Sequence, residues 1–386
     1  MSSRSPHRVM IHVQHLLGVG HLQRALRLAD ALAQRDFVVD LVSGGTPWQE
    51  IDLPDVSFHQ LPPARCADAS FSCLLDADGN EVDDLWKQTR CRQLLDLFER
   101  LSPSILITET FPFGRRMLRF ELMPLLEKAR ASARCQLVIS SIRDILQPKS
   151  KPGRNQEIRE LVDRYYDRVL VHGDPTIARL EHSFPAAAAI DDKVYYSGYI
   201  CRSGDAASAD HSSRAEVLVS AGGSDTGRAI LETAIAARPL SRLKRNNWRI
   251  LVSPAIAEAV FHQLQQLAGD GIEVERNRPD FPQLMRHASL SISQAGYNTL
   301  TDVLAAGAAA VVIPFAEAGE IEQSLRAKRL QACGRVVMLE QHQLSARKLA
   351  AAVDRAIELD TSMPINLEGA INSAVRISAW LRAAQT

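Results

Sequence analysis

The sequence predicts an α/β protein of the doubly wound kind, built as two Rossmann-like halves. Three observations predict it. Short β-branched runs recur along the 386 residues, each followed by a segment of helical length. Several runs are almost continuously apolar, as parallel strands covered on both faces must be. The pattern breaks once, at CRSGDAASADHSSR, whose Ser, Ala, Gly and Asp suit a linker, and a fresh strand follows. At roughly 100–200 residues per domain the length suits two domains. We place them at 1–200 and 201–365, with a closing helix over 366–386.

The elements follow in order. An apolar run at 8–15 ends in a glycine turn and gives way to a helical pattern at 21–34. Strands are expected next at 38–43 and 56–61. Residues 62–84 lack a steady period and read as a long loop, of the kind that carries function or moves. A helix at 85–100 precedes strands at 105–109, 136–142 and 168–172, with another helix at 115–133. In the second half, strands are expected at 216–220, 249–253, 272–275, 290–294, 310–315 and 335–339. Helices at 226–237, 297–306 and 346–359 accompany them, and Met363-Pro364 introduces the last helix at 366–384.

Composition excludes several classes. Forty-five basic residues balance 45 acidic ones, so no nucleic-acid partner is expected, although a local basic patch stays open. The longest near-apolar run, 303–315, is shorter than the roughly 20 residues a spanning helix needs. The first fifteen residues show no apolar core with a cleavage site. Cysteines stand singly at 66, 73, 91, 135, 201 and 333 with no Cys-x-x-Cys pair, which suits reduced thiols in a cytoplasmic protein.

The chemistry-bearing residues sit where strands end. Gly18 and Gly20 form a turn after the first strand and open a helix at His21, the side on which open α/β sheets bind ligands. A third fingerprint glycine is missing (Gln23 stands there), and Asp40 lies inside the second strand, so a nicotinamide reading is weak. Gly222, Gly223 and Ser224 form a second strand-to-helix turn that suits a phosphate cradle, or is a plain glycine turn. Gly296, Asn298 and Thr299 form a third, with Asp302 a turn further on. Glu322 and Gln323 follow the next strand, either as hydrogen-bond partners for sugar hydroxyls or as a solvated helix start. In the first half, Glu109 closes one strand, and Arg143 and Asp144 follow another. They are acid–base candidates, or a structural pair and cap. His21 is likewise a general-base candidate or a helix start without chemistry.

The GVGH turn, the AGGSDTGR turn and SQAGYNTLTDVLAAGAAAVVIPF with its following EIEQ resemble the MurG-type branch of the GT-B glycosyltransferases. The ETFPFGRR and SIRDIL segments are similar to a bacterial subgroup of predicted MurG-like transferases. The resemblance implies two Rossmann-like domains facing a cleft, with acceptor on the first, nucleotide sugar on the second, and the last helix crossing back to the first. It places His21 near the reacting centre, and Gly222, Gly223 and Ser224 at the phosphates. Gly296 and Thr299 fall at the diphosphate, Asp302 at the ribose, Gln323 and Glu322 at the donor sugar, and Asn277 in the stretch whose backbone reads the base. Asp302 replaces a glutamate and Glu322 a glutamine, so N-acetylglucosamine is not assumed.

The expected function is an inverting, metal-independent transfer of a sugar from a nucleoside diphosphate, UDP first, to an acceptor hydroxyl. The acceptor class stays open among glycan, lipid-linked and small molecules. No cofactor and no metal are expected, since helix N-termini can stabilise the departing diphosphate and no His/Cys cluster stands at ligand spacing. His21 is the first candidate base and Glu109 the second. The GVGHLQR turn is also similar to nucleotide-sugar hydrolases of the PseG type, which gives the alternative reading; a non-catalytic nucleotide-sugar-binding protein is the third. The helix at 117–129 mixes Leu, Met and Phe with Arg, Lys and Glu: an amphipathic core helix first, a peripheral contact with the inner membrane second.

Overall fold

The computed structural model describes residues 7–385 apart from 17, 49–52, 68–72, 149–150, 202–215, 222–224, 279 and 317–318. The chain divides into two compact units. The first comprises Met1–Pro175, Arg179–Ile200 and Glu368–Thr386, the second Thr176–Ala178 and Cys201–Leu367.

The first unit holds a seven-stranded parallel sheet of β1 (Arg8–Val13), β2 (Val38–Ser43), β3 (Val56–Gln60), β4 (Ile105–Glu109), β5 (Leu137–Arg143), β6 (Arg168–His172) and β7 (Val194–Tyr196). Their order is β3-β2-β1-β4-β5-β6-β7. Alternation sends successive side chains to opposite faces. On one face Met10, Leu106, Val138 and Val169 pack under α2 (Asp84–Leu101), α3 (Arg119–Ala131) and α4 (Arg154–Tyr165). On the other, Val9, Ile11, Ile107 and Ile139 pack under α1 (Gly20–Ala33) and α11 (Gly369–Ala383). Burial on both faces explains why the sequence shows apolar runs rather than alternation.

Strand order reverses between β1 and β4. The residues that follow these neighbouring strands therefore meet, although about a hundred residues separate them in sequence. The last helix begins at Gly369 rather than at 366, because Glu368 bridges Ile200 and Gly369 N–H donates to the Tyr199 carbonyl at 2.9 Å. A Cβ at 369 would lie 2.3 Å from the Gly198 carbonyl oxygen, so glycine is required for this approach.

The second unit repeats the plan with β8 (Glu216–Ser220), β9 (Asn247–Val252), β10 (Ile272–Arg276), β11 (Ala288–Ser293), β12 (Ala309–Val312) and β13 (Val337–Met338). They are parallel, in the order β10-β9-β8-β11-β12-β13. Around them stand α5 (Asp225–Ala237), α6 (Glu258–Leu267), α7 (Phe281–His287), α8 (Tyr297–Ala306), α9 (Glu322–Ala332) and α10 (Ala346–Ala356). Val217, Val219, Ile250, Ile292 and Val311 form its core with Ile230, Leu231, Leu349 and Val353. Here the order reverses between β8 and β11, the two strands that precede the second and third glycine turns.

The sequence reading differs from the structure in places. β1 stops at Val13, because Gln14 and His15 leave the ladder: the Gln14 carbonyl accepts from Arg115 Nε at 2.9 Å. The helix expected from 115 starts as a single 3-10 turn at Arg116–Leu118, since Arg115 takes a left-handed φ of 59°. The three-residue β7, and α4, α6 and α7, were not anticipated. No helix of the described residues is long and apolar enough to cross a membrane.

Candidate active site

In the first unit, β1 ends in the turn that opens α1, and His21 is the second residue of that helix. Glu109 is the last residue of β4, the neighbouring strand. The reversal of strand order brings the two side chains together, with His21 Nδ1 2.8 Å from Glu109 Oε2. Thr110 Oγ1 donates to the same carboxylate oxygen at 2.5 Å and lies 3.2 Å from Nδ1. The other carboxylate oxygen takes a close ion pair with Arg24 Nη2. Glu109 and Arg24 are both buried, so each supplies the counter-charge that the other's burial requires.

This network fixes the imidazole. A carboxylate only accepts, so Nδ1 carries the proton and Nε2 keeps its lone pair. Burial holds His21 well below the usual 6.5, and Arg115, Arg143 and Arg24 add to the depression. The ring is therefore neutral at pH 7 and able to take a proton. Thr110 holds its position at a left-handed φ of 68°, costly for a β-branched residue. Its N–H donates to the Ser141 carbonyl at 2.8 Å, and its carbonyl accepts from Gly114 N–H at 2.9 Å, so the surroundings over-determine that geometry.

His21 lines a cavity of about 580 Å³ that lies wholly within the first unit. Gly18, Thr110 and Arg143 also line it. Gly20 is the first residue of α1, and a Cβ at Gly18 would meet nothing within 4 Å. Asp144 does not line the cavity. It is fully buried, and Tyr199 donates its hydroxyl to Oδ2 at 3.3 Å. Nearby in sequence, His172 is fully buried between the Ser141 and Ser197 hydroxyls at 2.8 and 2.9 Å. Glu109 is paired with Arg24, and cationic side chains line the cavity wall.

In the second unit, Gly222, Gly223 and Ser224 lie outside the described residues, between the end of β8 and the start of α5. Gly296 is the N-cap of α8, and a Cβ there would meet nothing within 4 Å, so the approach to this helix start is open. Asn298 and Thr299 are in its first turn and Asp302 is one turn on, all three half-buried. Asn277 is exposed after β10, and its N–H donates to the Val252 carbonyl at 3.0 Å. Gln323 Oε1 accepts from the Phe315 N–H at 3.1 Å, which ties α9 to the end of the preceding strand segment. Glu322 is not solvated at its helix start. It is buried and pairs at 2.9 Å with buried Arg326, one helical turn on.

The sequence reading missed Arg24, Thr110 and Arg326. The first and last were visible in principle, at i+3 from His21 and i+4 from Glu322. The sequence also holds an Asp-x-Asp triplet, Asp76-Ala77-Asp78, a pattern open to a metal reading. Asp76 Oδ1 instead accepts the N–H groups of Asp78 at 3.0 Å and Asn80 at 2.8 Å, the local bonding of a turn. Among the described residues no three His, Cys, Asp or Glu side chains are grouped to hold a metal ion.

Residues 217–372 match the glycosyltransferase family 28 C-terminal domain. The match covers most of the second unit and runs into the start of α11. Relatives bear on the same class of protein over short stretches. The UDP-N-acetylglucosamine--N-acetylmuramyl-(pentapeptide) pyrophosphoryl-undecaprenol N-acetylglucosamine transferase of Vibrio vulnificus (strain YJ016) is 34% identical over 99 residues, 26% of this chain and 28% of that protein. The enzyme of the same name from Synechococcus sp. (strain RCC307) is 38% identical over 63 residues, 16% of this chain and 18% of that protein. The chain thus aligns with about a quarter or less of the length of these relatives. Whole-chain likeness is found in solved structures. Acinetobacter baumannii MurG superposes with a TM-score of 0.63 at 16% identity, covering 97% of this chain and 100% of that one. The calicheamicin glycosyltransferase CalG4 gives 0.63 at 14%, covering 98% of each. The fold around the family 28 domain is that of the GT-B glycosyltransferases.

Proposed function

We propose that the protein is a glycosyltransferase that moves a sugar from a nucleoside diphosphate, UDP first, to an acceptor hydroxyl. The single observation that carries this reading is the His21–Glu109 pair beside a cavity, in a chain whose other half is a family 28 domain. The acceptor O–H gives its proton to His21 Nε2 while its oxygen attacks the anomeric carbon from the face opposite the diphosphate. The bond from that carbon to the diphosphate oxygen breaks and the diphosphate leaves with the electron pair, which inverts the configuration. Glu109 holds the ring in the tautomer that accepts and stabilises the imidazolium that forms.

The family 28 domain is the donor half in this reading. The N-terminal end of α8 at Gly296, Asn298 and Thr299, with the turn at 222–224, would face the diphosphate, whose charge suits helix N-termini. No metal is then needed for its departure. Asp302 would bind ribose hydroxyls, Gln323 the sugar, and the backbone at Asn277 the base. The relatives' printed names, which combine a UDP-sugar donor with a lipid-linked acceptor, support that general pairing. Such a chemistry fits a cytoplasmic protein working at the inner face of a membrane.

The test is release of UDP from a panel of UDP-sugars, with and without EDTA, and NMR of the product's anomeric configuration. Release unaffected by EDTA, with an inverted product, supports the reading. No release from any nucleotide sugar overturns it. Free sugar formed at full rate with water alone would assign the hydrolase chemistry to the same His21–Glu109 pair.

A further inference from the structure

We propose that Gln14 is a positioning residue of the His21 site. It stands between the end of β1 and the first glycine turn. Its side chain carries the fixed geometry of the Arg90–Glu121 pair to the chain there, and its carbonyl in turn holds Arg115 at the cavity. What this means for turnover rests on the glycosyl-transfer reading above; the geometry does not.

The anchor is a buried guanidinium with no donor to spare. Arg90 on α2 and Glu121 on α3 are both fully buried. Arg90 Nε donates to Glu121 Oε2 at 2.7 Å. Its Nη2 donates to Glu121 Oε1 at 2.9 Å and to Gln14 Oε1 at 2.6 Å, and its Nη1 to the Gly44 and Pro62 carbonyls at 3.0 and 2.7 Å. Every N–H of the guanidinium thus has a partner. A planar fork held on all sides cannot turn without breaking a buried bond, so Arg90 is a fixed point. Gln14 is buried too, and its amide passes this on. Oε1 takes the Arg90 bond, while Nε2 donates to the His15 carbonyl at 2.9 Å and the Ala64 carbonyl at 2.8 Å. A Cβ on Gly44 would lie 2.2 Å from both Arg90 Nη2 and Gln14 Oε1, so this contact closes around a glycine.

The pinned backbone reaches the site through Arg115, whose Nε donates to the Gln14 carbonyl at 2.9 Å. Arg115 ends the turn that Thr110 begins, and the two hold left-handed φ values of 59° and 68°. Outside glycine that conformation is costly and persists only where the surroundings over-determine it. The Ser141 carbonyl secures the Thr110 end and the Gln14 carbonyl the Arg115 end. Thr110 lies against His21, and Arg115 lines the same cavity. After burial, Arg115 is the largest of the influences that depress the His21 pKa. Arg143 at the end of β5, Arg24 on α1 and His15 follow it, and Glu109 of β4 meets the ring at Nδ1. Where the Arg115 charge stands therefore affects the proposed base directly, and Gln14 is what ties it to the core.

NMR titration of the histidine rings in the full chain, with His21 assigned by the signal lost in His21→Ala, tests the geometry without donor or acceptor. Gln14→Met keeps the bulk and removes the amide. It should raise the His21 midpoint towards the usual 6.5, because a less firmly held Arg115 depresses it less. Gly44→Ala disturbs the same contact from the backbone side and should act in the same direction. Arg115→Gln should raise the midpoint by itself, and Gln14→Met should then add nothing in that background. In turnover, Gln14→Met should lower kcat by about 10-fold with UDP-sugar affinity within about twofold, the pattern of a misplaced group rather than a lost donor contact. Three results would overturn the proposal: a wild-type midpoint in folded Gln14→Met and Gly44→Ala, an unmoved midpoint in Arg115→Gln, or the same Gln14→Met shift with and without Arg115. Unfolding of both Gln14→Met and Gly44→Ala would make Gln14 a residue of the fold alone, and overturn it too. Wild-type protein that turns over no nucleotide sugar but shows the expected titrations would strike the glycosyl-transfer reading and leave the positioning role standing.

Discussion

Replacing Glu109 by glutamine tests the His21 pair most sharply, because it keeps the shape and removes the charge. Two effects follow from the geometry. Arg24 and Glu109 are each about 2% exposed, so the variant leaves a buried guanidinium facing a neutral amide, and breaking such a pair costs about 3 kcal/mol of stability. The hydrogen bond from Nδ1 to Oε2, 2.8 Å long, is charge-assisted. Losing it removes about 1.5–3 kcal/mol from the stabilisation of the imidazolium, or about 10- to 150-fold in turnover. The amide can also present its own N–H to Nδ1 and move the ring proton to Nε2, which removes the base altogether, so 10-fold is the lower bound. The assay is UDP release at 25 °C, alongside thermal unfolding by circular dichroism to show that the variant is folded. Turnover within about twofold of wild type in a folded variant would refute the role given to this carboxylate.

Other expectations follow from the same structure. Because burial and neighbouring arginines depress the His21 pKa below 6.5, the base stays neutral as pH falls through 6.5, and the acid limb of a turnover–pH profile should lie below that value. Glu121 is fully buried; burial would raise its carboxyl, but Arg90 and His12 outweigh it and hold it at about 2, against a usual 4.5. A depressed carboxylate stabilises the fold above its unfolded pKa, and that contribution fades as pH falls from 4.5 towards 2, so about 2 kcal/mol should be lost between pH 7 and pH 3, as urea unfolding at the two pH values will show. Asp302→Ala and Gln323→Ala should each weaken UDP-sugar binding by about 1–3 kcal/mol in calorimetric titration. Glu322→Gln should instead lower thermal stability through its lost pairing with Arg326, leaving donor affinity near wild type.

Much of this architecture was legible in the sequence, and for a physical reason. Strands buried on both faces must be apolar throughout, so β1, β4, β5 and β11 stand out as runs, and helices covering them must be amphipathic. What sequence periodicity does not carry is pairing across the sheet. His21 and Glu109 were each visible as strand-end residues, but their contact depends on β1 lying beside β4, which a local pattern cannot state. The buried Arg90–Glu121 pair, 31 residues apart on α2 and α3, is hidden in the same way. Glu322 was legible as a sugar ligand or as a solvated helix start, since acidic residues favour helix starts for general reasons, while its partner Arg326 sat unread one turn later. The cationic cavity combines Arg115, Arg116 and Arg119 with Lys151 and Arg154, two basic stretches that balanced totals conceal. The short β7 and the seven-residue α7 are too brief for any period to register.

The central claim is that His21 is the base of a sugar transfer whose donor is held by the other half of the chain. The measurement that tests it most directly is His21→Ala, with UDP-sugar affinity by calorimetry and UDP release measured on the same preparation. The account predicts affinity within about twofold of wild type and turnover lower by about 100-fold or more. Wild-type turnover in the variant, or donor binding lost together with activity, would contradict it.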